Sequence, residues 1–364
     1  MKSLLSVLVV AFGFLSIADA FEGKPRTPLD NIKYGAFTQT ATYSIANQLG
    51  VFAAYGLNVT YLQIPNSTYA YQQVQTGGYD VLTGTIDNVA NLRFNQGRPL
   101  TVLGQLDAGP DLTIASVSSI TSILELRGKS LIVDSATSGY AFLLRKILSL
   151  YGLRLEAGDY TFTVVGSTNL RYAALRNGTF SGEEVYATIL TYPFTAQAHS
   201  LLEGQKLNIL ARASDFVAPF ASSAITVSQD SLSDSNKTAL LTRFVSALYD
   251  ANRYLATPRE KNRQCAVQAI SKQLNITTAV AELEYTAATD LLSGEVSVGQ
   301  QGNFTVDRIG LLNVLDVRTQ FGGFGNVTSS LNFVDGIEPG VGKMIDYTVL
   351  GAAIAGTKGV AIRC

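Results

Sequence analysis

Four short polar segments have the composition of a binding site for a small molecule. They are "FTQTATY" from residue 37, "TGTID" from residue 83, "DSATSGY" from residue 134 and "YATILTYP" from residue 186. Their hydroxyls, amides and aromatic rings suit hydrogen bonding and stacking with a compact organic ligand, anionic or heterocyclic. The predicted ligand-binding residues are Phe37, Thr38, Gln39, Tyr43, Thr83, Gly84, Thr85, Ser135, Thr137, Ser138, Gly139, Tyr186, Thr188 and Tyr192. This set contains neither Arg nor His, which weakens a purely electrostatic site for nitrate or sulfonate.

The same residues also have an explanation that involves no ligand. Ser and Thr directly before a helix commonly cap its first turn, and Tyr43 and Tyr192 could simply pack in the core. Asp87 and Asp107 are interpreted as a helix-dipole partner and a residue of an interlobe crossing, rather than as ligand contacts.

Strands and helices alternate along the chain and position these segments. "IKYGAF" (32 to 37), "YDVLTG" (79 to 84) and "KSLIVD" (129 to 134) are predicted strands, each followed by a predicted helix. This alternation predicts parallel sheets with right-handed crossovers. Ligands bind beyond the carboxyl ends of such strands, beside helix N-termini, which is where the four polar segments lie.

One pattern of elements occurs twice. Tyr-Gly-Leu at 55–57 and again at 151–153 is followed by a strand, by Ser-Thr and by a helix that ends at Gly78 or Gly178. Duplication would give two similar lobes with a cleft between them. The alternative is two generic α/β units that match by chance.

The order of these motifs resembles the solute-binding proteins of nitrate, sulfonate and taurine (SsuA-like) import systems, which share a domain with the thiamine-pyrimidine synthases of fungi. The resemblance runs from residue 31 to about residue 290. It is carried by Gly50, Phe52, Gly56, Leu57, Val59, Val74, Gly78, Asp80, Leu126, Gly128, Lys129, Leu175, Gly178 and Pro193.

The resemblance implies an α/β fold of the type II periplasmic-binding class, with parallel or mixed sheets flanked by helices and a ligand cleft between two lobes. Lobe I would comprise residues 21–109 and 216–364, and lobe II residues 110–215. The chain would cross between the lobes near Gln105–Pro110 and Ser214–Phe220. Closure about this hinge would trap the ligand.

The N-terminus predicts secretion. Lys2, an apolar run from Leu4 to Ile17 and the small-residue site at 18–20 are typical of a signal peptide over residues 1–20. The run is short for a membrane span, which needs ~20 residues; an N-terminal anchor is the alternative. We therefore expect an extracellular protein of a eukaryotic secretory pathway.

Two further features suit that compartment. Asn-x-Thr sequons predict glycosylation at Asn58, Asn66, Asn177, Asn236, Asn275, Asn303 and Asn326. Cys265 and Cys364 are the two cysteines of the chain, and we predict that they form a disulfide, with two free thiols as the alternative.

The amino-acid composition limits the classes of partner that we expect. Of the 364 residues, 47% are apolar and 15% charged, and the net charge is −1. Such a chain can bury a large core, and without a basic tract neither nucleic acid nor membrane insertion is expected. We expect a monomer with no cofactor and no metal, because one histidine and two distant cysteines give no zinc spacing. The small molecule is the expected partner; a receptor or transporter is left open.

Three functions remain, of which a solute-binding protein is favoured. The second is an extracellular enzyme with the synthase-like fold, and the third is an effector whose cleft is non-functional. The resemblance implies that the synthases carry a cysteine cluster, an active-site histidine and a cofactor-linked lysine. This chain lacks the cluster, and His199, its one histidine, falls within a predicted helix.

Overall fold

The computed structural model describes residues 28–201, 206–325, 331–360 and 362. The predicted signal peptide over residues 1–20, the sequon at Asn326 and the cysteine at position 364 lie outside this part of the chain.

The first sheet combines the N-terminal strands with one strand from the middle of the chain. Its order is β2-β1-β3-β12-β4, in which β1 pairs in parallel with β2 and β3, whereas β12 runs antiparallel to β3 and β4. The strands are β1 (Asp30–Ala36), β2 (Leu57–Gln63), β3 (Val81–Thr85), β4 (Leu100–Gln105) and β12 (Ser223–Ser228).

The second sheet is formed by the segment between β4 and β12. Its order is β11-β5-β10-β6-β7; β6 runs parallel to β7 and β10, and β5 runs antiparallel to β10 and β11. Both sheets are thus mixed rather than parallel throughout. The strands are β5 (Thr113–Ser116), β6 (Lys129–Val133), β7 (Tyr160–Val164), β10 (Ala187–Leu190) and β11 (Asn208–Arg212), with a separate hairpin of β8 (Thr179–Phe180) and β9 (Glu183–Glu184).

Helices cover both sheets, and polar caps start several of them. Thr40 accepts a hydrogen bond from the N–H of Tyr43 at the start of α1, and Ser138 accepts one from Ala141 at the start of α5. The helices are α1 (Ala41–Gln48), α2 (Val51–Ala54), α3 (Ser67–Thr76), α4 (Ile86–Ala90), α5 (Gly139–Leu150), α6 (Thr168–Asn177), α7 (Phe194–His199), α8 (Ser235–Leu255), α9 (Glu260–Leu274), α10 (Thr278–Ala288), α11 (Arg308–Gln320), α12 (Phe333–Gly336) and α13 (Thr348–Ala355).

The two Tyr-Gly-Leu motifs have the same local structure. Gly56 follows α2 with φ 73°, and Gly152 follows α5 with φ 74°, a left-handed conformation that glycine adopts without strain. Each glycine turns the chain from a helix towards a strand. The helix predicted after the first strand is divided, however, because Gly50 also has a positive φ of 73° and separates α1 from α2.

The core of the first lobe surrounds α8. Phe244 of this helix is fully buried, and its ring stacks on Phe52 at 5.4 Å between centroids. The rings of Tyr34 and Phe244 also lie 5.4 Å apart. Phe244 therefore joins helix α8 to both the first sheet and α2.

Helix α11 packs against both lobes. Leu311 and Leu315 lie in the apolar cluster beneath the first sheet, and Val314 and Val317 lie in the cluster beneath the second. Helix α11 therefore lies between the two lobes, and its position depends on their relative orientation.

Surface features agree with the secretion prediction without testing it. Asn58, Asn177, Asn236, Asn275 and Asn303 are exposed, and Asn66 is half-buried at the cap of α3. Cys265 is buried on α9, and its pairing with the C-terminal cysteine remains a prediction, as does glycosylation. Over the part of the chain described, no helix has the length and apolar character that crossing a membrane requires.

We expect Phe244→Ala to lower the free energy of unfolding by about 3–5 kcal/mol, the usual cost of removing a fully buried phenylalanine ring. Urea unfolding followed by circular dichroism measures this. Leu292→Ala is the control, because Leu292 is 89% exposed. A loss as small as that of the control would contradict the packing described for α8.

Candidate functional site

A cavity lies between the lobes. Its walls come from loops that follow β1 and β3 in the first sheet and β6 and β10 in the second. The carboxyl ends of strands from two sheets therefore face a common space, which is the usual position of ligands in open α/β sheets.

Each of the four polar segments contributes to this cavity. Seven of the predicted residues line it: Phe37, Thr38, Thr83, Gly84, Thr85, Ser138 and Tyr192. Gly84 has a steric reason to be glycine, because a Cβ there would lie 2.8 Å from the hydroxyl oxygen of Tyr71. Whether these residues contact a ligand remains a prediction.

Two residues of the first segment lie away from the cavity. Tyr43 is 1% exposed, and its ring stacks on Tyr34 at 5.0 Å between centroids. It belongs to the core because α1 begins at residue 41 and turns this side chain under the sheet. Gln39 instead accepts a hydrogen bond from Gln273 on α9.

Three residues of the third segment support the cavity from outside. Ser135 and Thr137 line a neighbouring cavity. The N–H of Gly139 donates to Oδ1 of Asn88 at 3.0 Å, which ties the start of α5 to α4.

The residues of the fourth segment lie in different places relative to the cavity because strand β10 runs through the segment. Tyr186 precedes β10 and so lies at the end of the strand opposite to the cavity, with the ammonium of Lys129 4.4 Å from its ring centroid. Thr188 points from β10 beneath the cavity, where it donates to the carbonyl of Ile132 at 2.7 Å. Neither residue lines the cavity.

Seven lining residues were missed in the sequence analysis: Asn88, Asp134, Tyr140, Thr168, Arg171, Thr191 and Ser223. Asp134 and Tyr140 begin and end "DSATSGY", and Thr191 directly precedes Tyr192, so their positions after strands were a usable signal. Arg171 lies within α6, and no local pattern indicated that it would reach the site.

Arg171 gives the cavity a buried cation. It is 3% exposed, and its Nε donates to the carbonyl of Gly166 at 3.0 Å. Its Nη1 donates to Thr188 Oγ1 at 2.8 Å and to the carbonyl of Ile189, and its Nη2 donates to Thr168 Oγ1 at 2.9 Å. These bonds use four of the five N–H groups of a guanidinium and leave one on Nη2.

The carboxylate of Asp134 lies close enough to affect Arg171 electrostatically. Burial lowers the pKa of Arg171, and the charge of Asp134 acts in the opposite direction. The cavity wall therefore carries one positive and one negative side chain, in contrast to the uncharged set predicted from the sequence.

Tyr192 is held on the acidic side of the cavity. Its hydroxyl donates to Oδ2 of Asp107 at 3.1 Å. Burial, together with the charge of Asp107, raises the pKa of Tyr192 well above its usual value, so the phenol remains a neutral donor.

Two buried glutamates lie behind the first loop. Glu295 accepts hydrogen bonds from the backbone N–H groups of Ala41 at 2.8 Å and Thr42 at 2.7 Å. These contacts hold the start of α1, directly after the loop that carries Phe37. Burial raises the pKa of Glu295 to about 7, although the bonds from Thr42 and Ala41 lower it.

Glu284 has a less favourable environment. Neither of its carboxyl oxygens has a hydrogen-bond partner within the described part of the chain. Burial raises its pKa well above the usual value, and the charge of Glu295 adds to this effect.

A buried ion pair joins the two lobes beside the cavity. Arg318 of α11 donates to Asp87 of α4 through Nε at 2.8 Å and through Nη2 at 2.6 Å. The same Nη2 donates to the carbonyl of Thr137 at 2.9 Å, in the loop of the second lobe. The guanidinium also lies 4.3 Å from the ring centroid of Phe142 on α5. We call this arrangement the Arg318 latch.

A sequence profile described as NMT1/THI5-like matches residues 37–261, more than half of the chain. The chain belongs to the NMT1/THI5-like family. Comparison with curated proteins gave no significant sequence match. This family assignment confirms the resemblance inferred from the motif order.

Solved structures agree with the family assignment. The periplasmic nitrate-binding protein NrtA from Synechocystis aligns with a TM-score of 0.68 and 12% identity, over 92% of this chain and 91% of that chain. A Candida albicans protein with the generic periplasmic-binding-protein fold aligns with a TM-score of 0.59 and 16% identity, over 92% and 98%. The alkanesulfonate-binding protein SsuA from Xanthomonas axonopodis, bound to MOPS, gives 0.57 and 15%, over 78% and 93%.

At these identities the likeness concerns the fold. The predicted two-lobe α/β class with mixed sheets is confirmed for this member of the NMT1/THI5-like family.

We expect Arg318→Met to lower the free energy of unfolding by about 3–5 kcal/mol, because it leaves Asp87 buried without a partner. Asp87→Asn combined with Arg318→Met should recover much of this loss. A double-mutant cycle from urea unfolding measures the coupling. Arg127→Met is the control, since Arg127 is an exposed partner of Asp159 and should change stability by about 0–1 kcal/mol. Additive effects of the two latch substitutions would contradict the buried pair.

We expect stability to fall as the pH rises from about 4.5 to about 7. The pKa of Glu295 is raised from 4.5 when unfolded to about 7 when folded, so its contribution is complete below 4.5 and is lost as the folded carboxyl ionises. The loss is about 3 kcal/mol, and Glu284 acts in the same direction. Unfolding free energies measured across this range should depend less on pH in Glu295→Gln. Glu183→Gln, on an exposed strand, should keep the wild-type profile; an unchanged slope in Glu295→Gln would exclude this cause.

Proposed function

We propose that this protein is a secreted solute-binding protein that captures a small organic molecule in the cavity between its lobes. The observation that carries the proposal is a cavity whose walls come from both sheets. Domain closure around a ligand requires such a shared wall. A nitrate-binding and an alkanesulfonate-binding protein of the same fold supply the precedent for capture.

The composition of the cavity supports an organic ligand. Phe37, Tyr140 and Tyr192 provide aromatic surface, and the hydroxyls of Thr85 and Ser138 provide hydrogen-bonding groups. The Oγ1 atom of Thr85 is buried without a partner in the described residues. These features also disfavour an effector with a blocked cleft.

Binding rather than turnover is supported by the position of the histidine. His199 is exposed at the end of α7 and lines a separate surface groove with Asp111 and Arg212. It is therefore outside the cavity and cannot act as an acid or base on a molecule held there.

The lobe boundaries and the route out of the cell belong to the same proposal. Lobe I comprises residues 21–109 and 216–364 and lobe II residues 110–215, which agrees with the membership of the two sheets. A signal peptide over residues 1–20 and exposed sequons support passage through a eukaryotic secretory pathway.

Mass spectrometry of small molecules released from natively purified protein tests this function. We expect one compound at near-stoichiometric amount, and we expect Thr38→Trp to lose it, because the indole fills the cavity. Thr76→Trp is the matched control, since Thr76 is exposed at the end of α3. Both variants should keep the wild-type circular dichroism spectrum.

Two results would overturn the proposal. One is the absence of any released compound together with no shift of melting temperature across a metabolite panel. The other is equal retention of the compound by Thr38→Trp and Thr76→Trp, which would place the ligand elsewhere.

A further inference from the structure

Asp134 differs from every other buried aspartate of the described chain. Five aspartates are buried there: Asp87, Asp107, Asp134, Asp250 and Asp346. Four of them have hydrogen-bond donors, which are Arg318 for Asp87, Gly109 and Tyr192 for Asp107, Tyr55 for Asp250 and Gly342 and Thr348 for Asp346. Asp134 accepts no hydrogen bond from any described residue.

The position of Asp134 indicates where a hydrogen-bond donor to its carboxylate would lie. It directly follows the last residue of β6, is 6% exposed and lines the cavity between the lobes. A largely buried carboxylate that accepts no hydrogen bond from the protein is unfavourable. In native proteins such groups are normally satisfied by a partner, and the open side of Asp134 is the cavity itself.

Arg171 does not supply the missing partner. It lines the same cavity, yet four of its N–H groups donate to backbone carbonyls and threonine hydroxyls, and it forms no ion pair with Asp134. The two opposite charges are therefore neighbours that are not bonded to each other. One N–H of Arg171 is left for an acceptor.

We propose that the ligand carries an N–H donor group, such as an amine, an amidine or an amino-substituted heterocycle, which donates to Asp134, and an acceptor group on the side of Arg171. This inference rests on the proposed function and specifies its ligand class. It distinguishes this protein from a receptor for nitrate, which carries no hydrogen-bond donor. The aromatic rings of Phe37 and Tyr140 suit a planar body between the two polar ends.

The experiment uses Asp134→Asn, which keeps the size of the side chain and removes its charge. The control is Asp230→Asn, the same change at an exposed residue outside the cavity. The probes are 4-(aminomethyl)benzoate, benzylamine, benzoate and benzyl alcohol, which share a ring and differ in the donor and acceptor groups. Melting temperature and isothermal titration are measured for the wild type and both variants.

We expect the two amine probes to raise the melting temperature of the wild type and of Asp230→Asn more than benzyl alcohol or benzoate does. Affinity for the amines should fall at least tenfold in Asp134→Asn. The natural compound released from the wild type should contain an N–H donor and be lost from Asp134→Asn.

The outcomes distinguish a failure of this inference from a failure of the proposed function. If Thr38→Trp loses the natural compound while Asp134→Asn retains it, capture stands and the N–H donor class is overturned. Equal stabilisation by benzylamine and benzyl alcohol also overturns it. If the wild type releases no compound and responds to no probe, both proposals fail together.

Discussion

The Arg318 latch is the interaction on which the relation between the lobes depends. Its guanidinium binds a carboxylate that follows β3 and a carbonyl that follows β6, so one side chain connects the carboxyl ends of strands in both sheets. A buried ion pair of this kind adds little net stability compared with apolar packing, but its geometry is restrictive. It therefore defines how the walls of the cavity meet, and α11 carries it in a position that both apolar cores share.

Charge is distributed unevenly around the cavity. On one side lie Asp107 and the two buried glutamates, behind Tyr192 and the start of α1. On the other side lies Arg171, most of whose N–H groups donate to backbone carbonyls and threonine hydroxyls. These hydrogen bonds fix the position of the guanidinium without neutralising its charge. A small molecule entering this space meets donors and acceptors that are already oriented, so little reorganisation is required on binding.

The sequence predicted the fold and part of the site because the relevant signals are local. Thr83 to Thr85 are the last residues of β3, and Ser138 lies between β6 and α5. Their position directly before helices is enough to bring them to the cavity. Tyr186 was predicted to line the cavity, but it lies directly before β10, at the end of the strand that faces away from the cavity. The length of the strand therefore separates Tyr186 from the cavity. Arg171 and Arg318 could not be predicted, since each acts through contacts that depend on the packing of helices against distant parts of the chain.

The position of β12 has a consequence for the order in which the protein can assemble. This strand lies between β3 and β4, so β4 has no neighbour in its own sheet until residues 223–228 have been synthesised. The second sheet, by contrast, is built from the continuous segment 113–212. The second sheet can thus be complete before the first sheet is. The first sheet lacks one strand until the ribosome has released residues 223–228.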